Sequence, residues 1–123
     1  MEKQKFEFYV AGVQHHNLHT YLDEIEVGFP LNMVPEPENT YDHNAVKLVY
    51  CAADDSIGMI GYVPGKISAA VTAFLRVCPE PICIITELNK EAKPWNQIKV
   101  IIREYEDGDA WLCLDNSIVP SVE

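Results

Sequence analysis

The chain has 123 residues, 48% of them hydrophobic and 23% charged, and its 19 acidic side chains outnumber 9 basic ones to leave a net charge of −10. This is the length of one domain with enough apolar material for a core, which excludes a chain disordered over most of its length. The acidic balance also excludes a broad phosphate-neutralising surface, because nonspecific nucleic-acid binding draws on many Lys and Arg.

In chain order, Phe6, Phe8 and Val10 alternate with Lys5, Glu7 and Tyr9, the period of a half-buried strand. Ala11-Gly12-Val13 continues it, with Gly12 leaving room for a close backbone or ligand. The polar stretch from Gln14 through His15, His16 and His19 breaks the alternation as a loop or a single helical turn. Ile25, Val27 and Gly28 begin a second strand that Leu31 to Val34 resumes past Phe29-Pro30. Residues 35–44 form a structured loop, since Pro35 and Pro37 fix φ and the Asn and Asp side chains bond nearby backbone.

Ala45 to Tyr50 reads as a strand with Val46, Leu48 and Tyr50 on one face, turning at 54–56 into a return strand, Ile57 to Val63. After Pro64-Gly65, the apolar stripe Ile67, Ala70, Val71, Phe74 and Leu75 predicts a helix near 66–77, stopped by Cys78-Pro79. Pro81 to Leu88 and Gln97 to Tyr105 are two further strands joined across Ala92-Lys93-Pro94. In the second, Ile98, Val100 and Ile102 alternate with Lys99 and Arg103. Residues 104–109 read as a solvated acidic turn, and the segment after it turns apolar at Trp111, Leu112, Leu114, Ile118 and Val119. Short strands at regular spacing with one main helix predict a mostly β fold, a small barrel or curled sheet.

No continuous apolar run reaches a membrane span, and the N-terminal residues do not have signal-peptide form. Cys51, Cys78, Cys83 and Cys113 lack zinc-knuckle spacing and read as small buried hydrophobes; a cytoplasmic location is the expectation. His15, His16, His19 and His43 do not form a ligand set of known spacing, so neither a metal nor another cofactor is expected. No nucleophile–base pair and no phosphate-cradling loop with its Lys is present, which argues against an enzyme.

Three pieces occur together and in order: Phe8-Tyr-Val-Ala-Gly-Val13, the string Glu36-Pro-Glu-Asn-Thr-Tyr-Asp-His-Asn-Ala-Val-Lys47, and Ile60-Gly-Tyr-Val-Pro64 leading into the helix. The combination resembles the HIRAN domain, a module found in certain fork-remodelling helicases and alone in bacteria and phage, and the chain is similar to the stand-alone type. The resemblance implies an OB-like barrel of about six strands over residues 1–107, with 108–123 a tail packing on the barrel or on a partner. It also implies a site for the free 3′ end of single-stranded DNA, between the loop after the first strand and the Asn-Thr-Tyr-Asp loop. Carried over by position, Asp42 would accept a hydrogen bond from the terminal sugar hydroxyl, Tyr41 and Asn39 would shape the wall, and Tyr62 would line the same cleft. Where eukaryotic members have a basic residue and two tyrosines, this chain has Gln14, His15 and His16. The partners implied are a DNA end or other nucleic acid, with a helicase or nuclease acting in trans.

For the same residues, turn chemistry accounts equally for Asp42 and Asn44, core-edge packing for Tyr41 and Tyr62, and a solvated strand face for Lys47. The competing functional reading is a protein-interaction or self-association module that uses the acidic surface and apolar tail.

Overall fold

Alternation along the chain becomes a single six-stranded sheet in the computed structural model, which describes residues 3–13, 23–51 and 57–109. Strand β1 is Phe6–Tyr9, β2 Pro30–Pro35, β3 Val46–Cys51, β4 Ile57–Tyr62, β5 Pro81–Leu88 and β6 Ile98–Glu104; helix α1, Gly65–Val77, lies between β4 and β5. The spatial order is β1-β6-β5-β2-β3-β4, every neighbouring pair antiparallel.

The sheet curls until its ends meet. Ala11, just past β1, exchanges both backbone hydrogen bonds with Tyr62 at the end of β4, each 2.9 Å long. Gly61 makes this approach possible, since a Cβ there would lie 2.5 Å from the Ala11 carbonyl oxygen and 2.6 Å from Val10 Cγ1. Gly12 has a φ of 74°, a left-handed conformation that side chains disfavour.

Inward positions of the strands fill the curl. Val46, Leu48, Ile60, Ile85, Ile98, Val100 and Ile102 are fully buried, and Phe8, Val10 and Leu31 complete the same cluster. In β3 the expected alternation of Val46, Leu48 and Tyr50 holds, but Val49 is buried too, because the register with β4 shifts between Leu48 and Val49. The segment 25–28 is not part of β2 as expected: Gly28 turns the chain with φ 98°, Val27 is exposed, and only Ile25 reaches the core. At the C-terminal end the acidic turn is not wholly solvated. Asp109 is buried, takes two hydrogen bonds from the Arg103 guanidinium at 2.7 and 2.8 Å, and accepts the Glu106 amide at 2.8 Å. Cys83 is buried as expected, whereas Cys51 is exposed and accepts a hydrogen bond from Asn32 Nδ2.

Helix α1 covers the sheet with Val71 and Phe74, the latter edge-on to Phe6 with ring centroids 5.6 Å apart. Its buried face is turned from the predicted stripe: Ala70 is exposed, while the polar Ser68 and Thr72 are buried. The reason lies in the loop they meet.

Candidate nucleic-acid interface

The loop between β2 and β3 is built by its own side chains. Asn39 Oδ1 accepts the backbone amides of Tyr41 at 2.8 Å and Asp42 at 3.1 Å, so one amide group sets the turn. Asp42 Oδ1 accepts the Asn44 amide at 2.9 Å, and the backbone of Ala45 closes onto the Asp42 carbonyl. His43 Nδ1 lies 3.2 Å from the Pro37 carbonyl oxygen on the outer side of the loop. At its base, the Glu36 amide donates to the Ala45 carbonyl.

The helix then pins this loop. Ser68 Oγ donates to Asp42 Oδ2 at 2.7 Å, and Thr72 Oγ1 donates to the Asn44 carbonyl at 2.8 Å. Ser68 has one proton and also lies 3.0 Å from the Gly65 carbonyl oxygen; the carboxylate is both nearer and charged, which makes it the stronger acceptor. Ser68 and Thr72 are four residues apart and so share a helix face, and burying them costs little because both hydroxyls are paired. Sequence periodicity missed them because an apolar stripe counts hydroxyl residues as outward. The Ser68 hydroxyl, followed by the Asn44 amide, holds the Asp42 carboxyl below the usual aspartate value, so it is ionised at neutral pH.

Both Asp42 oxygens thus have an internal donor, and turn chemistry accounts for those contacts. A carboxylate oxygen accepts two hydrogen bonds, which leaves each with one further position.

Glu36 is a second hub. Its Oε1 accepts the Tyr62 hydroxyl at 2.8 Å and Asn39 Nδ2 at 3.1 Å, and its Oε2 lies 3.5 Å from Lys47 Nζ. Lys47 and Tyr62 are cross-strand partners of β3 and β4, which brings both to the loop. Lys47 is accordingly a half-buried ion-pair member and not the solvated face residue expected. Glu36 is held below its ordinary pKa chiefly by the Tyr62 hydroxyl, with Asn39 and Lys47 adding to it against partial burial. Tyr62 is raised in turn by burial and by that carboxylate, which keeps its phenol protonated.

Of the predicted site residues, Asn39, Asp42 and Tyr62 therefore belong to one connected network, with Glu36 and Ser68 as its unanticipated members. Tyr41 stands apart: it is 97% exposed and packs at no core edge. Gln14, His15 and His16 lie outside the described residues. Val13, the last described residue before them, is two positions past Ala11, the backbone partner of Tyr62. Trp95 is another exposed large aromatic, in the turn Pro94–Asn96 with Lys93 Nζ 5.6 Å from its ring. That turn leads to Ile98, whose carbonyl accepts the Val10 amide. Among the described residues no three His, Cys, Asp or Glu side chains gather to hold a metal, and no helix is long and apolar enough to cross a membrane.

A comparison with protein families matches the HIRAN domain over residues 3–100. The chain belongs to the HIRAN family. HIRAN is a family of DNA-binding domains. Among solved structures, the HIRAN domain of human HLTF superposes with a TM-score of 0.57 at 11% identity, covering 88% of this chain and 82% of that one. The HIRAN likeness in the Pro37 to Lys47 string is thus matched by an OB-like fold with six antiparallel strands. A search of curated proteins gives no match.

Proposed function

We propose that this HIRAN domain holds the free 3′ end of a single DNA strand in the cleft beside residues 36–44, and acts as a binding module without chemistry of its own. The observation that carries the reading is Tyr41, a fully exposed aromatic ring on a turn whose backbone Asn39 ties down through the amides of Tyr41 and Asp42. An aromatic side chain in water contributes little to the fold, and a fixed turn presents it with little ordering cost, as a stacking platform for an unpaired base needs. Trp95 offers another exposed face on the turn that runs into the Val10 partner Ile98.

Asp42 supplies the selectivity. Its carboxylate repels phosphate yet has acceptor positions left for a sugar hydroxyl, so a terminal 3′-OH is favoured over an internal phosphodiester. The net charge of −10 fits this division, because an end held by hydrogen bonds and stacking engages few phosphates. In this reading Gln14, His15 and His16 add to the binding, the imidazole rings being available for stacking where other members have tyrosines. In such a role the domain delivers a strand end to a helicase or nuclease acting in trans.

Fluorescence titration with matched oligonucleotides ending in 3′-OH or 3′-phosphate tests the reading. Tighter binding of the hydroxyl end is expected, lost on Asp42→Asn. Equal affinity for the two ends overturns end recognition, and no affinity for either overturns the binding role.

A further inference from the structure

Lys47 is the cation of the network that surrounds the candidate cleft, and it is already engaged. Its ammonium faces Glu36 Oε2 at 3.5 Å, while Glu36 Oε1 is fixed from the other side by Tyr62 and Asn39. The carboxylate therefore does not follow Lys47 if that side chain swings outward. It is anchored by two neutral donors, one on β4 and one in the 36–44 loop. Three further cations among the described residues are ion-paired: Arg103 with Asp109, Lys90 with Asp23 and Lys3 with Glu104. Lys47 differs from these in sharing its partner with Asn39 and Tyr62.

We infer that Glu36 is a specificity-determining residue that withholds Lys47 from phosphate, so that the cleft rejects internal stretches of a strand and takes only its terminus. The inference rests on the proposed end recognition and assigns the discrimination to a second carboxylate besides Asp42. Without Glu36, Lys47 would present a positive charge at the base of the loop, and any phosphodiester passing Tyr41 would find a partner there. With Glu36, the same position is a neutralised pair beside an acidic loop, and contact with a phosphate there releases few counterions. Glu36 is a positioning residue in this scheme, acting through Lys47 and not on the nucleic acid itself.

The test compares the wild-type protein with Glu36→Gln, Lys47→Met and the double variant. Glutamine keeps an acceptor for Tyr62 and Asn39 while removing the charge. Binding of fluorescent 3′-OH and 3′-phosphate oligonucleotides is measured across a salt series. Glu36→Gln is expected to bind the 3′-phosphate strand more tightly, with the slope of log affinity against log salt steepened by about 0.7, one single-strand phosphate contact. The double variant is expected to return to the wild-type slope, and Lys47→Met alone to leave that slope unchanged. An unsteepened slope in a folded Glu36→Gln overturns the inference, as does a flattened slope in Lys47→Met alone. If Glu36→Gln does not fold, the Lys47→Met slope decides by itself. Wild-type preference for the 3′-OH strand with no change in Glu36→Gln removes this inference and leaves end recognition standing. Wild-type indifference to both strands removes end recognition and the inference together.

Discussion

Ser68 in the first turns of α1 donates its hydroxyl to Asp42 Oδ2 across 2.7 Å, joining the helix to a loop 26 residues earlier in the chain. The contact sets the orientation of the carboxylate proposed to read a strand end, because Oδ1 is already fixed by the Asn44 amide. Ser68→Ala should therefore let the Asp42 carboxyl rise toward its ordinary value, and a carbon-13 NMR titration of the aspartates measures it. The sign follows from the lowered folded value: this contact stabilises the fold above the ordinary aspartate pKa, and its contribution disappears as pH falls through the folded pKa. An Asp42 titration identical in wild type and Ser68→Ala would show that the hydroxyl does not hold the carboxylate.

Tyr41 separates binding from folding. Being 97% exposed, its replacement by Ala should change stability by less than about 0.5 kcal/mol. The same change should weaken oligonucleotide binding by about 1–3 kcal/mol, the loss of one stacked base. Urea unfolding and fluorescence titration on the same preparation measure both quantities. Undiminished affinity would remove Tyr41 from the interface.

Gly61 closes the sheet. In Gly61→Ala the new methyl would sit 2.5 Å from the Ala11 carbonyl oxygen, a backbone atom that cannot step aside without opening the bridge to Tyr62. A loss of about 2–3 kcal/mol is expected, the upper range for overpacking. Thermal unfolding checks it, and wild-type stability would mean that the seam relaxes freely.

Asp109 closes the last turn onto β6. The Arg103 guanidinium, ahead of the Glu106 amide, holds its carboxyl below the ordinary value against the effect of burial. Stability from this pair is full above the ordinary aspartate pKa and is lost as pH falls through the depressed folded value. Asp109→Ala should cost about 2 kcal/mol at neutral pH, the scale of a charge-assisted hydrogen bond. It should also remove that acid-side loss from the stability profile. Denaturant midpoints measured at a series of pH values test both.

The strands were legible because their burial follows local alternation: Ile98, Val100 and Ile102 face the core as the period demands. The Pro37 to Lys47 string likewise displayed its loop, since Asn39 and Asp42 bond backbone within three residues. What could not be read was decided by distant partners. Ser68 and Thr72 are polar, and only the arrival of the 42–44 loop makes them inward. Glu36 became a hub through the register that sets Lys47 opposite Tyr62, and Asp109 went inward for Arg103. Exposure of Val27 required Gly28 to turn left-handed, which no alternation pattern records.

The Ala11–Tyr62 bridge joins the two spatial ends of the sheet. A molecule gripping both residues 36–44 and the described segment Ala11 to Val13 would consequently behave as a staple across the ring's join. Occupancy would then register far from the point of contact, as slower amide exchange around the whole circumference and a higher melting temperature that grows with ligand concentration.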